Sequence, residues 1–227
     1  MVIFTKIYKG ISLQTPINRF DIFAVEFSTN SKTMLRNKLQ KYRLILASGS
    51  PRRQQFFKDL DLDFEIRLKE IEEIYPKELK REQITNYLAE LKANAFDGDL
   101  NQNEILITSD TIVWHENKAL GKPKDSADAF KILQSLSGKK HEVITSICFK
   151  TNIETKVLHE VTKVSFNELN DNAIRYYIEN YKPFDKAGAY GIQEWIGFVG
   201  VSKIEGSYTN VMGMPTDKVY EYLNNLK

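Results

Sequence analysis

Two stretches of this chain are apolar on consecutive rather than alternate residues: RLILAS at 43–48 and EILITSDTIVW at 104–114. A strand turns successive side chains to opposite faces, so a continuous apolar run needs cover on both sides of the sheet. The segments between and after these runs supply that cover. REQITNYLAELKANAF (81–96) sets Ile84, Leu88, Leu91 and Ala95 at helical spacing, and DSADAFKILQSLSG (125–138) is a helix stopped by Gly138. NDNAIRYYIENY and TDKVYEYLNNL are further helices, while DFEIRL, HEVITSICFK and TKVLHEVTKVSF read as strands. Strands alternating with helices predict an α/β fold with a central sheet. The spacing places a cleft between two halves, near LSGKKHEV at 136–143.

The polar residues that interrupt these elements carry the chemistry. After RLILAS comes GSPRR. Ser50 stands where a helix cap belongs, and Pro51 suits the first helical position. A helix N-terminus at the carboxyl end of a strand exposes free N–H groups, and there α/β folds bind ligands. Arg52 and Arg53 add planar forks matched to phosphate oxygens. The pattern is that of a phosphate cradle; the alternative, a solvated turn whose arginines pair with surface acids, stays open on spacing alone. Neither a P-loop nor a dinucleotide glycine fingerprint occurs in the chain.

Asp110 falls within or at the end of an apolar strand, where a carboxylate must be paired, metal-bound or face a cleft, unless it caps a loop. Lys92 lies one residue past Leu91 on its helix and either faces solvent or reaches a cleft. Lys122, in LGKPKD, precedes a helix. KEIEEIYP offers Glu70, Glu72 and Glu73, a charged face from which one residue could join Asp110 on a divalent cation. DKAGAYGIQEW sets Asp185, Lys186, Gln193 and Glu194 among glycines that permit close backbone approach. The Gln193 amide both donates and accepts, as a base edge requires.

Composition excludes several classes. With 32 Lys and Arg against 30 Asp and Glu, the net charge of +2 does not suggest a nucleic-acid binder, so any anion site is local. The one cysteine, Cys148, sits in VITSICF and reads as core; a lone cysteine forms no internal disulfide and favours a reducing, cytoplasmic setting. His115, His141 and His159 lack metal-ligand spacing, and no apolar run reaches the roughly 18 residues of a membrane span. Residues 1–33 have no sustained period and read as an extension or an upstream misread start, with an added hairpin as the alternative. The compact domain is expected over 34–227.

LILASGSPRR, SDT, GKP, LSGKKHEV, DKAGAYGIQ and GSYTNVMGMP, in that order, resemble the signature segments of the Maf family of nucleoside triphosphate pyrophosphatases, from Leu44 to the C-terminus. The resemblance implies an ITPase-like α/β fold: a twisted mixed sheet flanked by helices, in two lobes with a cleft. It implies hydrolysis of a nucleoside triphosphate to monophosphate and pyrophosphate with Mg²⁺ or Mn²⁺. By the same resemblance Asp110 is the proton acceptor, Ser48, Arg52 and Arg53 form the phosphate loop, and Lys92, Lys122 and Lys186 serve the substrate. Glu73, with Glu72 as the alternative, joins Asp110 at the metal. Arg52, Thr111 and Gln193 match the dTTP/UTP-acting subgroup. Hydrolysis of modified pyrimidine nucleotides and a nucleotide-binding role in cell division are the alternatives. A small-molecule nucleotide is the expected partner, with neither nucleic acid nor membrane, and a homodimer is open to the chain.

Overall fold

In the computed structural model, which describes residues 35–226, the chain runs from a helical stretch at 35–39 (α1) into strand β1, Arg43–Leu46. The expected extension at 1–33 lies outside the described residues. Helix α2 (Pro51–Asp59) follows, then β2 (Phe64–Ile66), α3 (Glu82–Asn94), β3 (Glu104–His115), β4 (Lys118–Leu120) and α4 (Ser126–Leu136). The second half holds β5 (Lys140–Lys150), β6 (Thr155–Phe166), α5 (Asp171–Tyr181), a 3-10 turn at Ala187–Ala189, α6 (Trp195–Gly200), β7 (Val201–Glu205), α7 (Tyr208–Val211) and α8 (Thr216–Asn224).

The strands form one mixed sheet in the order β2-β1-β3-β5-β6-β7. β1 runs parallel to β2 and β3, while β3, β5, β6 and β7 are antiparallel in turn. The consecutive apolar runs are covered on both faces, as their pattern required. Leu44, Leu46, Ile105 and Ile107 pack into one cluster with Phe57, Val219 and Leu223 from α2 and α8, while Ile45 and Leu106 pack into another with Ala89, Ala93 and Phe96. Burying a side chain of this size contributes about 1.5–3 kcal/mol.

The α3 face differs from the expected stripe. Ile84 and Leu88 are buried, but Thr85, Ala89 and Ala93 complete the buried face, and Leu91 and Ala95 are only partly covered. Small residues let the helix lie close on the sheet, which pattern reading based on large side chains passes over. Ser50 is also a correction: it occupies the cap position of α2, but its side chain makes no capping bond. Asp125 and Asn170 do cap α4 and α5, accepting from Asp128 N and Ala173 N. Gly138 follows α4 with φ of +67°, the left-handed stop its glycine predicted.

One irregularity in the sheet creates the site. β5 pairs with β3 along Leu106–Trp114 on one edge. On the other edge β1 pairs only with Glu104–Ile107, and β4 only with Val113–His115. Residues 108–112 therefore have no strand neighbour on that side. The face carrying Ile105, Ile107, Val113 and Val143 is covered twice, by α1, α2 and α8 at one end and by α4 and α5 at the other. These are the two lobes, and the gap in β3 opens between them.

Candidate active site

Successive side chains of a strand face opposite sides of the sheet, yet Asp110 and Thr111 both line one cavity of about 1160 Å³. The open edge of β3 permits this. The expectation of a cleft near 136–143 is corrected: of that segment only Val143 reaches the cavity, which sits at mid-strand instead.

Asp110 lies inside β3, 7 % exposed. Its Oδ1 accepts from Lys92 Nζ at 2.6 Å, and the same ammonium lies 3.1 Å from Glu73 Oε2. Lys92 therefore turns inward from α3. Glu73 and Glu70 line the cavity and Glu72 does not. Two carboxylate oxygens converging on one cation suit Mg²⁺ or Mn²⁺, which take one or two carboxylates and complete their shell with phosphate and water. No group of three or more His, Cys, Asp or Glu among the described residues could hold a metal, so the remaining ligands would come from substrate and water.

The loop after β1 also lines the cavity. Ser48 is buried, and its Oγ accepts from Ser50 N at 3.3 Å. Arg52 Nη1 donates to Asp185 Oδ2 at 3.0 Å. Asp185 Oδ1 accepts from Lys186 Nζ at 2.7 Å, and Lys186 also lies 3.1 Å from Glu194 Oε1. Burial pushes the Asp185 carboxyl up, but Lys186 and Arg52 more than offset it and leave it below its usual range. Lys186 thus has two protein carboxylates beside it. Lys122, exposed at the rim, has no hydrogen bond or ion pair among the described residues.

Arg53 differs from Arg52. Its Nε donates to Gly213 O at 2.8 Å, Nη1 to Ser109 O at 2.8 Å and Nη2 to Thr111 Oγ1 at 2.9 Å. Burial pulls this guanidinium below its usual range, with the Asp110 charge opposing. Gln193 lines the cavity, and its side-chain amide has no protein partner among the described residues.

The nine side chains, with Glu73, that sequence reading assigned to the site all border this cavity. An ordered set of motifs brought to one place is the mark of a shared ancestry, and the model for Maf-like protein matches residues 43–226. This chain belongs to the Maf family. Among curated Maf relatives, the dTTP/UTP pyrophosphatase of Flavobacterium johnsoniae is 72 % identical over 193 residues, covering 85 % of this chain and 100 % of the relative. Those of Flavobacterium psychrophilum and Christiangramia forsetii are 66 % and 55 % identical, each over 85 % of this chain and 98 % of the relative. Among solved structures, the Ham1 protein of Staphylococcus aureus aligns with 82 % of this Maf chain and 100 % of its own at 15 % identity and a TM-score of 0.44, too distant to bear on the site.

Several supports of this Maf site were not read from the sequence. Tyr177, on α5, accepts from Gly191 N at 2.9 Å and donates to Glu194 Oε2, tying the loop that carries Gln193. Tyr190 lines the cavity and lies 2.7 Å from His141 Nε2. Asn210, fully buried in the GSYTNVMGMP segment, donates to Val143 O and Thr162 Oγ1. Its polar side chain in a glycine-flanked segment was the available signal. Trp195 packs edge-on to Tyr176 at 4.9 Å and against the apolar cluster around α5, and is not among the cavity residues. Cys148 is fully buried, and burial pushes its thiol up to about 12, far from a nucleophile's range.

Proposed function

We propose that this protein hydrolyses dTTP and UTP to the nucleoside monophosphate and pyrophosphate. The observation that carries this reading is the gathering of Asp110, Lys92, Glu73 and the Arg52 loop around a single cavity, with the free amide of Gln193 on its wall. Uracil and thymine present acceptor, donor and acceptor groups in sequence, and the Gln193 NH2 can donate to one of the two carbonyl oxygens. The relatives bearing the dTTP/UTP pyrophosphatase name support the choice of base.

In this mechanism Asp110 takes a proton from a water molecule, and the water oxygen forms a bond to the α phosphorus. The bond from that phosphorus to the bridging oxygen breaks, and pyrophosphate leaves. Lys92 orients the Asp110 carboxylate through its short hydrogen bond. Arg52 and Lys122 approach phosphate oxygens, and Ser48 and the α2 N-terminus shape the wall they rest on. A divalent cation held by Glu73 and Asp110 would supply charge neutralisation on the triphosphate. Positioning and charge compensation carry most of the rate in such a reaction.

The test is incubation with dTTP, UTP, CTP, GTP and 7-methyl-GTP in Mg²⁺ or Mn²⁺, with pyrophosphate separated from orthophosphate. Pyrophosphate from dTTP and UTP is the expected product. Orthophosphate as the primary product would mean γ-phosphate cleavage and would refute the assigned reaction.

A further inference from the structure

Arg53 stands in the phosphate loop, but three of its five N–H groups are held by protein atoms around β3. These rest on Ser109 O, Thr111 Oγ1 and Gly213 O, at 2.8, 2.9 and 2.8 Å. Ser109 and Thr111 flank Asp110 on the edge of β3 that no strand covers. The guanidinium occupies the place of the missing strand neighbour there and ties it to the loop after α7.

The same contacts fix the direction of a hydroxyl relay. Thr145 Oγ1 lies 3.0 Å from Thr111 Oγ1 and 3.0 Å from the carbonyl oxygen of Asn210. A carbonyl only accepts, so the single Thr145 proton goes to Asn210, and Thr145 accepts from Thr111. The reverse order would leave the Asn210 contact without a proton. With its own proton given to Thr145 and one lone pair taken by Arg53, Thr111 has only a lone pair left for the cavity.

We propose that Arg53 is a positioning residue that staples the open edge of β3 and, together with Thr145, holds Thr111 as a hydrogen-bond acceptor toward the nucleotide base. This rests on the reading of the cavity as a thymine and uracil site. An acceptor at Thr111 takes the N3–H of thymine or uracil and meets only a lone pair on N3 of cytosine. Arg53 then serves base choice and the placement of Asp110, while phosphate binding falls to Arg52 and the lysines.

Arg53→Lys keeps the charge and loses the fork. The expected result is a fall in kcat on dTTP of about tenfold or more, with the Kd of inorganic pyrophosphate, measured by calorimetry, held within about threefold. Pyrophosphate binding weakened by about tenfold or more would overturn the assignment and make Arg53 a phosphate ligand. Thr145→Val removes the acceptor for the Thr111 proton. The preference for dTTP over dCTP in kcat/KM is expected to fall by about tenfold, and Thr145→Ser to restore it. A folded Thr145→Val protein with undiminished preference would overturn the relay. Wild-type protein that turned over neither dTTP nor UTP would instead sink the functional reading, leaving pyrophosphate binding to judge Arg53 alone.

Discussion

At the residue scale, the site is defined by which charges have protein partners. Asp110 shares Lys92 with Glu73, and Lys186 lies between Asp185 and Glu194. Lys122 has no such partner among the described residues. Asp110→Asn should lower kcat on dTTP by roughly a hundredfold or more, the loss expected of a general base, with the melting temperature as a control for folding. An unchanged rate would remove Asp110 from that role. Lys122→Ala should raise KM for dTTP more than Lys186→Ala does, because a lysine already paired with carboxylates has less charge to lend a phosphate. Steady-state kinetics on both variants decides, and the opposite order would contradict it. Gln193→Ala should lower the dTTP-to-GTP ratio of kcat/KM; an unaltered ratio would take Gln193 out of base recognition.

At the element scale, the loop between α5 and α6 is held from behind. Tyr177 bonds both Gly191 N and Glu194, and Gly188 takes φ of +70° in the 3-10 turn. A Cβ on Gly188 would lie 2.6 Å from Val113 Cγ2, on β3. Gly188→Ala should therefore destabilise the fold by about 1–3 kcal/mol through overpacking and backbone strain, read as a lower midpoint in urea. A midpoint equal to wild type would show that the turn has room to shift. The strand-to-helix step at SGSPRR was legible because its determinants are adjacent in the chain: an apolar run, a proline and the helix that follows. The buried face of α3 was less legible, since Thr85, Ala89 and Ala93 do not stand out as apolar bulk.

At the scale of the whole molecule, stability is tied to pH by two buried groups at opposite ends of the sheet. Burial pulls His141 down to about 3, with neighbouring His115 adding to the effect. Its folded value lies below the ordinary 6.5, so the folded state binds fewer protons. The stability it contributes is present above pH 6.5 and is lost as the pH falls toward 3. The Arg67 guanidinium and the Asn101 N–H hold Glu104 down to about 2, so its contribution is present above 4.5 and is lost as the pH falls toward 2. The melting temperature should decline from near neutrality, and His141→Gln should flatten the upper part of that decline. An equally steep decline in the variant would assign it to other groups. The sequence by itself determined the alternation of strands and helices and, through the resemblance its motifs carry, the family, because apolar period and short motifs are local properties. Only the tertiary structure decided that β3 has an open edge, that Lys92 reaches Asp110, and that Arg53 donates to Ser109 O and Gly213 O. Those are contacts between residues 18, 56 and 160 positions apart, and the chain can bring such residues together only by packing the elements between them.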